Sequence, residues 1–414
     1  MSNKLLVPRI RFKEFTNAWE QDTAKNLFIP YRVKNSNNMN LVSYSVTNKD
    51  GFVNQNEYFD DGGKAVFADK KNSLIVSRNT FAYNPSRINV GSLALYKHSE
   101  MGLVSPIYEV FQINSNNNPD FFLLWFRSEA FKNIVSTNSN KSVRDTLNLS
   151  QFESESVNFP NFAEQLKISS LFTYLDSLIT LHQRKLLSLK NLKSRLLDRM
   201  FCDEKSQFPS IRFKEFTNAW EQEKLGECSK FYNGLTSVSK SDFGVGKDLY
   251  IDYLNVFNNT FSQFSELKKF KNSSRQNYVQ FKDVILTISS ETPDEVAMSS
   301  VINWKNDYKN VAFNSFCILV RFNQLEKYDV NYIGYFFRSN SFRTQAMLMA
   351  QGISRFNINQ TALKKTLFLF PPNIYEQQKI GNVLYYLDSL ITLHQRKLNS
   401  LKNIKNTLLD KMFV

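Results

Sequence analysis

The sequence predicts an α+β protein in a pseudo-twofold repeat, with a strand-rich globular domain and one long helix in each half. Two repeated blocks carry this prediction. The stretch LDSLITLHQRKL occurs at residues 175–186 and again, letter for letter, at 387–398. The block IRFKEFTNAWEQ occurs at residues 10–21 and again at 211–222. One block opens each half and the other closes it, so the chain contains an internal duplication.

The repeated blocks divide the 414 residues into four predicted segments. The block that starts each globular domain is called its opener. The segments are a first globular domain (1–160, opener 9–21), a first helix (161–202), a second globular domain (203–372, opener 211–222) and a second helix (373–414). A chain of this length is typical of two or three domains.

The closing blocks are predicted to form long helices with a heptad seam. Apolar residues recur at three- and four-residue steps, which is the spacing of a coiled-coil seam. They are Leu171, Leu175, Leu178, Leu189, Leu192 and Leu196 in the first helix, and Val383, Leu387, Leu390, Leu401, Ile404 and Leu408 in the second. Polar residues interrupt both seams at equivalent places, at His182 and Lys185 and at His394 and Lys397. The obvious partner for each helix is the other.

Each helix is predicted to begin at an asparagine that follows proline. Asn161 is followed three residues later by Glu164, and Asn373 by Glu376. This spacing is a variant of the capping box, in which the two side chains satisfy the first free N–H groups of the helix. A helix of about 39 residues would be roughly 58 Å long.

The residues between the blocks predict two strand-rich inserts that differ from each other. Short apolar runs separated by turn-forming stretches occur at 73–77, 107–113, 283–288 and 311–322. One similarity survives: Phe-Arg-Ser at 126–128 parallels the same residues at 337–339, and each is predicted to lie in one helix. Two identical frames therefore hold two different inserts, which favours one frame that presents two specificities.

The charge balance favours a polyanionic partner. Lys and Arg number 52 against 38 Asp and Glu, for a net charge of +14. A basic surplus of this size most often indicates nucleic-acid binding. The charge alone is also compatible with a basic protein that has no such partner.

The expected location is the cytoplasm. The three cysteines are odd in number and form no C-x-x-C pair, which is typical of a reducing compartment. The sequence has no apolar run of the roughly 18 residues that a membrane span requires. The N-terminus also lacks the pattern of a secretory signal.

The reactive side chains predict no active site. The histidines are His98, His182 and His394, and two of them lie in the helical seam. They form no metal-ligand cluster in the sequence. Residues 243–247, FGVGK, lack the spacing of a phosphate-binding loop, so a turn is the better interpretation. We therefore expect a chain without catalysis of its own.

These features resemble the specificity subunits of type I restriction–modification enzymes, and the resemblance covers the whole chain. It rests on the RFKEFTNAWE openers and on a proline followed by Glu-Gln and Lys-Ile at 164–168 and 376–380. It rests also on Leu-Asp in each long helix and on the twofold arrangement. Each motif is weak alone, but their combination at this spacing, present twice, is specific.

The resemblance implies two target-recognition domains separated by two antiparallel coiled-coil helices. Each domain would read one half of a split, asymmetric site in double-stranded DNA, and the helices would set the gap. The helices would dock two methyltransferase subunits, and restriction subunits would join the full complex. S-adenosylmethionine, ATP and Mg²⁺ would act on those partners only. The family's termini lie close together, so the opener near Arg9 is expected beside the second helix.

Candidate DNA contacts lie after matching strands and in the polar runs before each closing strand. Contacts to base edges specify a sequence, with Arg suited to guanine and Asn or Gln to adenine, whereas phosphate contacts position the protein. The candidates are Arg78, Asn79, Lys141 and Arg144 in the first half, and Ser289, Ser290, Arg338, Arg355 and Asn357 in the second. The alternative for each arginine is a solvated surface residue or a phosphate contact.

The helices carry two further sets of candidates. Interhelical or partner-docking contacts are predicted for Leu175, Leu178, Leu189, Leu192, Leu387, Leu390, Leu401 and Ile404. The first helix also carries a basic face, formed by Arg184, Lys185, Lys190, Lys193, Arg195 and Arg199. That face suits solvent, a partner subunit or the phosphates of the spacer DNA, and the sequence does not rank these.

DNA recognition has two alternatives from other classes of function. The first is a coiled-coil structural adaptor whose globular domains bind protein. DNA binding that weakens steeply with salt, yet keeps a sequence preference in both halves, would argue against an adaptor. The second is a stand-alone nuclease or methylase, which turnover by the purified chain with Mg²⁺ and S-adenosylmethionine would support.

Overall fold

The computed structural model describes residues 6–59, 70–138, 146–305 and 310–414. The chain forms two compact units, which contain residues 1–182 with 397–414 and residues 183–396. Each unit therefore combines a globular body with part of both long helices. The sequence prediction instead treated the globular domains and the long helices as separate segments. Both units mix strands and helices, which confirms the α+β class.

The first unit contains short strands, short helices and the start of a long helix. Its strands are β1 (Glu20–Thr23), β2 (Phe28–Pro30), β3 (Val42–Thr47), β4 (Gly51–Asn54), β5 (Leu74–Val76), β6 (Thr80–Tyr83), β7 (Leu93–Leu95), β8 (Gly102–Val104), β9 (Glu109–Ile113) and β10 (Ser156–Phe159). Its helices are α1 (Ala24–Leu27), α2 (Gln55–Tyr58), α3 (Pro119–Trp125), α4 (Glu129–Asn138) and the first part of α5 (Phe162–Arg199).

The second unit has the same style with different elements. Its strands are β11 (Glu221–Lys224), β12 (Ser229–Asn233), β13 (Phe243–Ile251), β14 (Lys268–Phe270), β15 (Val284–Thr287), β16 (Ser289–Ser290), β17 (Ser299–Val301), β18 (Val311–Phe313), β19 (Cys317–Phe322), β20 (Phe356–Asn357) and β21 (Leu367–Phe370). Its helices are α6 (Leu225–Cys228), α7 (Tyr253–Asn258), α8 (Val330–Phe336), α9 (Asn340–Met349), α10 (Gln360–Lys365) and most of α11 (Ile374–Lys411).

The inserts share a plan but not a topology. The first unit has two four-stranded sheets, ordered β2-β9-β6-β7 and β4-β3-β8-β5. The second has a four-stranded sheet, β12-β19-β15-β17, and a three-stranded sheet, β14-β13-β18. In both, the strand that follows the opener pairs antiparallel with the strand that precedes the long helix, as β1 with β10 and β11 with β21. That pairing closes each insert at its base.

The Phe-Arg-Ser segments break a helix in each half, so the prediction of one continuous helix is wrong. Residues 126–128 separate α3 from α4, and residues 337–339 separate α8 from α9. The serine accounts for the break, because Ser128 Oγ donates to the carbonyl of Trp125 and Ser339 Oγ to that of Phe336. A serine that bonds to nearby backbone in this way competes with the helical hydrogen bonds.

A buried ion pair joins each opener to the start of a long helix. Arg11 Nε and Nη2 donate to the two carboxylate oxygens of Glu164, both at 2.7 Å. Arg212 holds Glu376 in the same way, at 2.7 and 2.9 Å. Side-chain exposures are 10% and 0% in the first pair, and 12% and 1% in the second. Both halves are thus fixed by one bidentate, charge-assisted contact.

The predicted capping box is only half present. Asn161 Oδ1 accepts from the backbone N–H of Glu164 at 3.0 Å, and Asn373 Oδ1 from that of Tyr375 at 2.9 Å, so both asparagine caps are confirmed. The glutamates do not return to the cap, because Glu164 and Glu376 take two guanidinium bonds each. Two charge-assisted bonds outweigh one bond to a neutral N–H.

The glutamine after each glutamate joins the helix start to the insert. Gln165 Oε1 accepts from the N–H of Asn118 at 2.8 Å, next to the first residue of α3, and its amide donates to the carbonyl of Pro160. Gln377 repeats this with the N–H of Asp329, before α8, and the carbonyl of Pro371. The Glu-Gln motif therefore connects three pieces of chain in each unit.

Each opener also covers the last turn of a long helix. The N–H of Ile10 donates to the carbonyl of Lys411 at 3.0 Å, and the N–H of Ile211 to that of Arg199 at 2.8 Å. Carbonyls in the last helical turn lack partners within the helix, so these bonds satisfy them. The expectation that the first opener lies beside the second helix is confirmed.

The observed heptad seam differs from the predicted seam by one residue at alternate positions. Residues that are buried or half-buried follow the heptad spacing at Ile168, Phe172, Leu175, Ile179, His182, Leu186, Leu189, Lys193 and Leu196 in α5, and at Ile380, Leu384, Leu387, Ile391, His394, Leu398, Leu401, Lys405 and Leu408 in α11. Lys185 and Leu192 are exposed, and their neighbours Leu186 and Lys193 occupy the seam instead. At the other shifted positions the seam residue is apolar and adjoins the predicted one, as Ile179 adjoins Leu178 and Leu384 adjoins Val383.

Ion pairs explain how lysine is accommodated in the seam. Lys193 Nζ lies 2.6 and 2.8 Å from the carboxylate oxygens of Asp388, within the second unit. Lys405 pairs with Asp176 within the first unit. Each aspartate is the second residue of a Leu-Asp motif, whose leucine lies in the seam. Within each unit these contacts and the neighbouring cores place the two helices antiparallel.

A glycine brings the second helix against its insert. A Cβ atom at Gly381, in α11, would lie 2.7 Å from the Cβ of Asn331 and from the backbone nitrogen of Tyr332. Helix α8 therefore approaches the α11 backbone more closely than any larger residue would allow. This contact accounts for the one glycine in an otherwise uninterrupted helical sequence.

Removal of the arginine in the first buried pair should destabilise the chain strongly. Arg11→Ala leaves the fully buried Glu164 carboxylate without its partner, so we expect the free energy of unfolding to fall by about 3–5 kcal/mol. Urea unfolding followed by circular dichroism measures this. The matched control is Lys167→Ala, which removes a half-exposed ion pair with Glu14 and should have a much smaller effect, because exposed ion pairs are screened by solvent. Equal losses for the two variants would contradict the assignment.

Candidate nucleic-acid interface

The structure brings four of the predicted DNA-contacting residues of the second unit together. Strand β16 pairs antiparallel with β20, so that Ser289 lies opposite Asn357 and Ser290 opposite Phe356. Arg355 Nε donates to Ser289 Oγ at 2.9 Å. Ser289, Ser290, Arg355 and Asn357 therefore form one small ribbon, although β16 and β20 are 66 residues or so apart.

The ribbon borders a cavity of about 430 Å³ in the second unit. Its lining combines aromatic, aliphatic, basic and acidic side chains. The lining residues are Tyr253, Leu254, Phe257, Ser289, Ser290, Glu291, Glu295, Phe316 and Arg355. Leu254 and Phe316 are exposed there, with 62% and 56% of their surface accessible. Exposed apolar groups beside charged ones are a common feature of binding surfaces.

Hydrogen bonds hold the wall of this cavity in place. The Tyr253 hydroxyl donates to the carbonyl of Ser289 at 2.8 Å. Burial raises the pKa of Tyr253, so its hydroxyl stays protonated and remains a donor. Ser290 Oγ donates to Glu295 Oε2 at 2.9 Å, and the rings of Tyr253 and Phe257 stack with centroids 5.8 Å apart. The side chains around Arg355 are therefore positioned before any ligand arrives.

This arrangement has the chemistry needed to read base edges. A guanidinium donates to guanine O6 and N7, and a carboxylate accepts from the amino group of cytosine. An aliphatic or aromatic side chain contacts the methyl group of thymine or a base face. Arg355, Glu291 and Phe316 supply one group of each kind within a single cavity.

Arg338 has a different environment from the other candidates. Its guanidinium donates to the backbone carbonyls of Val256 at 2.9 Å, Asn259 at 3.1 Å and Ser299 at 2.8 Å. Burial lowers its pKa to about 10. Three carbonyl partners occupy this group, so its geometry favours an internal anchor that joins the α8–α9 junction to the end of α7 and to β17.

The first unit offers one described pair of candidates. Arg78 and Asn79 are exposed in the tight turn between β5 and β6, where Asn79 has a φ of +68°. The N–H of Asn79 donates to the carbonyl of Tyr96 at 2.9 Å, which fixes the turn. The other candidates of this half, Lys141 and Arg144, lie outside the described residues.

The helix candidates separate into inner and outer positions. Leu175 and Leu387 are buried, and Leu178, Leu189 and Leu401 are half-buried, whereas Leu192, Leu390 and Ile404 are exposed. The exposed residues belong to a matched set in which each α5 residue has an α11 counterpart 212 positions later. This set, the outer stripe, consists of Tyr174, Leu178, Leu181 and Leu192 on α5 and Tyr386, Leu390, Leu393 and Ile404 on α11.

Sequence reasoning missed the acidic and aromatic members of the cavity. Tyr253, Glu291 and Phe316 come from three separate stretches of chain, and none belongs to a repeated block. The β16–β20 pairing that gathers them has only two residues in each strand. A strand that short has no readable periodicity. The aromatic residues Tyr253, Phe257 and Phe316 carried no sequence signal that distinguishes them from core residues.

The described residues show no metal centre and no membrane span. Among them, no group of three or more His, Cys, Asp or Glu side chains comes together that could hold a metal ion. No helix in the described part of the chain is both long and apolar enough to cross a bilayer.

Comparison with known proteins agrees with this architecture. The solved structures similar to this chain include an HsdS subunit from Thermoanaerobacter tengcongensis, at 14% identity and a TM-score of 0.52, covering 95% of this chain and 96% of that one. The type I restriction–modification S subunit from M. genitalium matches at 14% identity and a TM-score of 0.56, covering 99% of both chains. A chain from a study of complex assembly and conformational transition in the type I R-M system matches at 14% identity and a TM-score of 0.54, over 95% and 97%.

At this identity the solved structures establish the fold alone. No curated protein sequence matches the chain. The sequence model for the type I restriction modification DNA specificity domain matches residues 20–191 and again residues 218–403. The two matches follow the internal duplication and cover most of the chain. The chain therefore belongs to the type I restriction–modification DNA specificity family.

Proposed function

We propose that this chain is the DNA-recognition subunit of a type I restriction–modification complex and reads a split, asymmetric site in double-stranded DNA. Each globular domain reads one half-site, and the two helices set the gap between them. The helices also dock two methyltransferase subunits, and restriction subunits complete the assembly. The chain itself catalyses nothing, and S-adenosylmethionine, ATP and Mg²⁺ are used by its partners.

The observation that carries this proposal is the contrast between frame and insert. Arg11–Glu164 and Arg212–Glu376 are the same ion pair in two places, with the same helix cap and the same glutamine beside them. The inserts that these frames hold have different sheets and different sequences. A frame used twice with two inserts is suited to the reading of two different half-sites.

The charge and the β16–β20 ribbon support DNA as the ligand. A net charge of +14 attracts a polyanion and gives binding that weakens with salt as counterions are released. Arg355 and Asn357 on the ribbon are the residue types that hydrogen-bond purine edges. We assign these two residues, with Glu291, to the half-site read by the second domain.

The helices support the spacer and docking roles. Each has 38 residues, which corresponds to a length of about 57 Å. Half-sites read from one side of a duplex have centres roughly 34 Å apart, so helices of this length are long enough to set such a gap. The outer stripe offers exposed apolar groups at matched positions on both helices, and a repeated surface is suited to two copies of one partner.

Exchange of the first insert should change one half of the recognised site. We expect that replacement of residues 23–158 with the insert of another member of the family alters the first half-site and leaves the second half-site and the gap unchanged. Selection of bound duplexes from a random pool by the full chain, assembled with its methyltransferase, measures both half-sites. The matched control exchanges residues 223–369. A change in both half-sites after one exchange would contradict the division of labour, and protein binding without DNA binding would favour the adaptor.

Replacement of Arg355 and replacement of Arg338 should have different effects. Arg355→Ala should weaken binding to the cognate duplex by about 1–3 kcal/mol with little change in unfolding temperature, since Arg355 is exposed. Arg338→Ala should lower the free energy of unfolding by about 3 kcal/mol, because three inward carbonyls lose their donor. Fluorescence anisotropy and thermal unfolding of both variants measure this. Equal behaviour in the two assays would contradict the assignment.

Charges on the outer stripe should prevent partner docking without unfolding the chain. In Leu192→Asp with Ile404→Asp, two exposed apolar residues become charged, so we expect roughly tenfold or greater loss of affinity for the methyltransferase subunit. Co-purification and calorimetry measure this loss. The control is Leu187→Asp, an exposed leucine of α5 that lies roughly 140° around the helix from Leu192. Normal docking by the double variant would exclude the outer stripe.

A further inference from the structure

Ile353 is an exposed apolar residue of the second unit that lies close in sequence to Arg355. Ile353 is 98% exposed, at the tip of the turn between Gln351 and Asn357. Single exposed apolar residues are ordinary on protein surfaces, so exposure alone decides nothing. The tight closure of the turn and its position beside Arg355 distinguish this isoleucine.

The turn that carries Ile353 is held by several contacts. Gln351 and Asn357 exchange backbone hydrogen bonds of 2.9 and 2.8 Å across its base. Asn357 Nδ2 donates to the carbonyl of Arg355 at 3.3 Å. Gly352 has a φ of +143°, and a Cβ there would lie 2.0 Å from the carbonyl oxygen of Arg355. The turn backbone therefore closes tightly and presents Ile353 near its tip.

The turn continues the ribbon that carries the candidate base contacts. Arg355 is tied to Ser289, and the N–H of Ile358 donates to the carbonyl of Ile288 at 3.0 Å, so the turn is anchored to the sheet behind it. Ile353 lies two residues beyond the Gln351–Asn357 pair, which is a reach of up to about 7 Å. If Asn357 and Arg355 meet base edges, a side chain that projects beyond them reaches the base stack.

We propose that Ile353 is a wedge that inserts between two stacked base pairs in the half-site read by the second domain. This inference rests on the proposed function. Proteins that bend DNA insert aliphatic residues of this kind at a base step, and the partial unstacking kinks the duplex. The recognised sequence then includes a step that no polar group contacts, and flexible pyrimidine–purine steps are favoured there.

The duplication makes the wedge a property of one half only. Arg144 and Arg355 are 211 positions apart, the same offset that relates the two Phe-Arg-Ser segments. At this offset Ile353 corresponds to Ser142, which is polar and lies outside the described residues. A serine lacks the apolar surface to replace base stacking. The distortion is therefore assigned to the second half-site, and the first half-site serves as an internal control.

The test uses the full chain assembled with its methyltransferase subunits and duplexes that carry 2-aminopurine at successive positions. Fluorescence of this base rises when it is unstacked. We expect a rise of roughly threefold or more at one step of the second half-site, its loss in Ile353→Ala and its retention in Ile353→Leu. Affinity for the cognate duplex should fall about tenfold in Ile353→Ala, while Ile107→Ala, an exposed isoleucine of the first unit, should bind normally.

Two outcomes would overturn the wedge, and they are distinguishable. Sequence-specific binding with no fluorescence rise at any step, and with equal affinity for wild type and Ile353→Ala, would overturn the wedge and leave the proposed function standing. Failure of the wild-type assembly to prefer any duplex sequence would overturn both. The unfolding temperature of Ile353→Ala should match that of wild type, because the side chain is exposed, so a folding defect does not complicate the comparison.

Discussion

The buried arginine–glutamate pair is the contact on which the rest of this structure depends. Arg11 and Glu164 are 153 residues apart in sequence, so the contact between them belongs to no local motif. Their bond closes the first insert at its base, while the next residue, Gln165, joins the helix start to α3. A carboxylate with no exposure is costly unless it is fully paired, so the bidentate geometry is required rather than incidental. The second unit repeats the arrangement with Arg212 and Glu376.

The repeated arginine–glutamate pair belongs to a frame that is the same in both halves, whereas the inserts differ between the halves. The openers, the helix starts and the Leu-Asp motifs use their side chains on one another, through Arg11–Glu164, Lys405–Asp176 and their counterparts. The inserts contact the frame at their base and through short helices such as α8. Loops that make no such contact are released from that constraint. A recognition function that needs two unrelated surfaces on one support follows from this division. The β16–β20 ribbon in the second unit is one such surface.

The features predictable from the sequence were those with a local signal. The repeats identified the two halves, and proline followed by asparagine located both helix starts, at Asn161 and Asn373. The pairing of Glu164 with Arg11 was not predictable, because the two residues are 153 positions apart in sequence. The sequence around Glu164 fits a helix-capping role equally well. The seam was misplaced at alternate positions for two reasons. Neighbouring apolar residues such as Leu178 and Ile179 fit either register in the sequence, and Lys193 and Lys405 are stabilised in the seam by aspartates of the other helix. The cavity lined by Arg355 was missed because four separate segments build it.

A genome-wide map of methylated bases, in cells with and without this gene, tests the central claim most directly. The account predicts the loss of a single motif made of two unlike half-sites with a fixed gap, since one frame presents two inserts at a spacing set by the helices. A motif with two identical half-sites, or the loss of two independent motifs, would contradict it. A methylation pattern unchanged by removal of the gene, in cells whose methyltransferase is expressed, would contradict it as well.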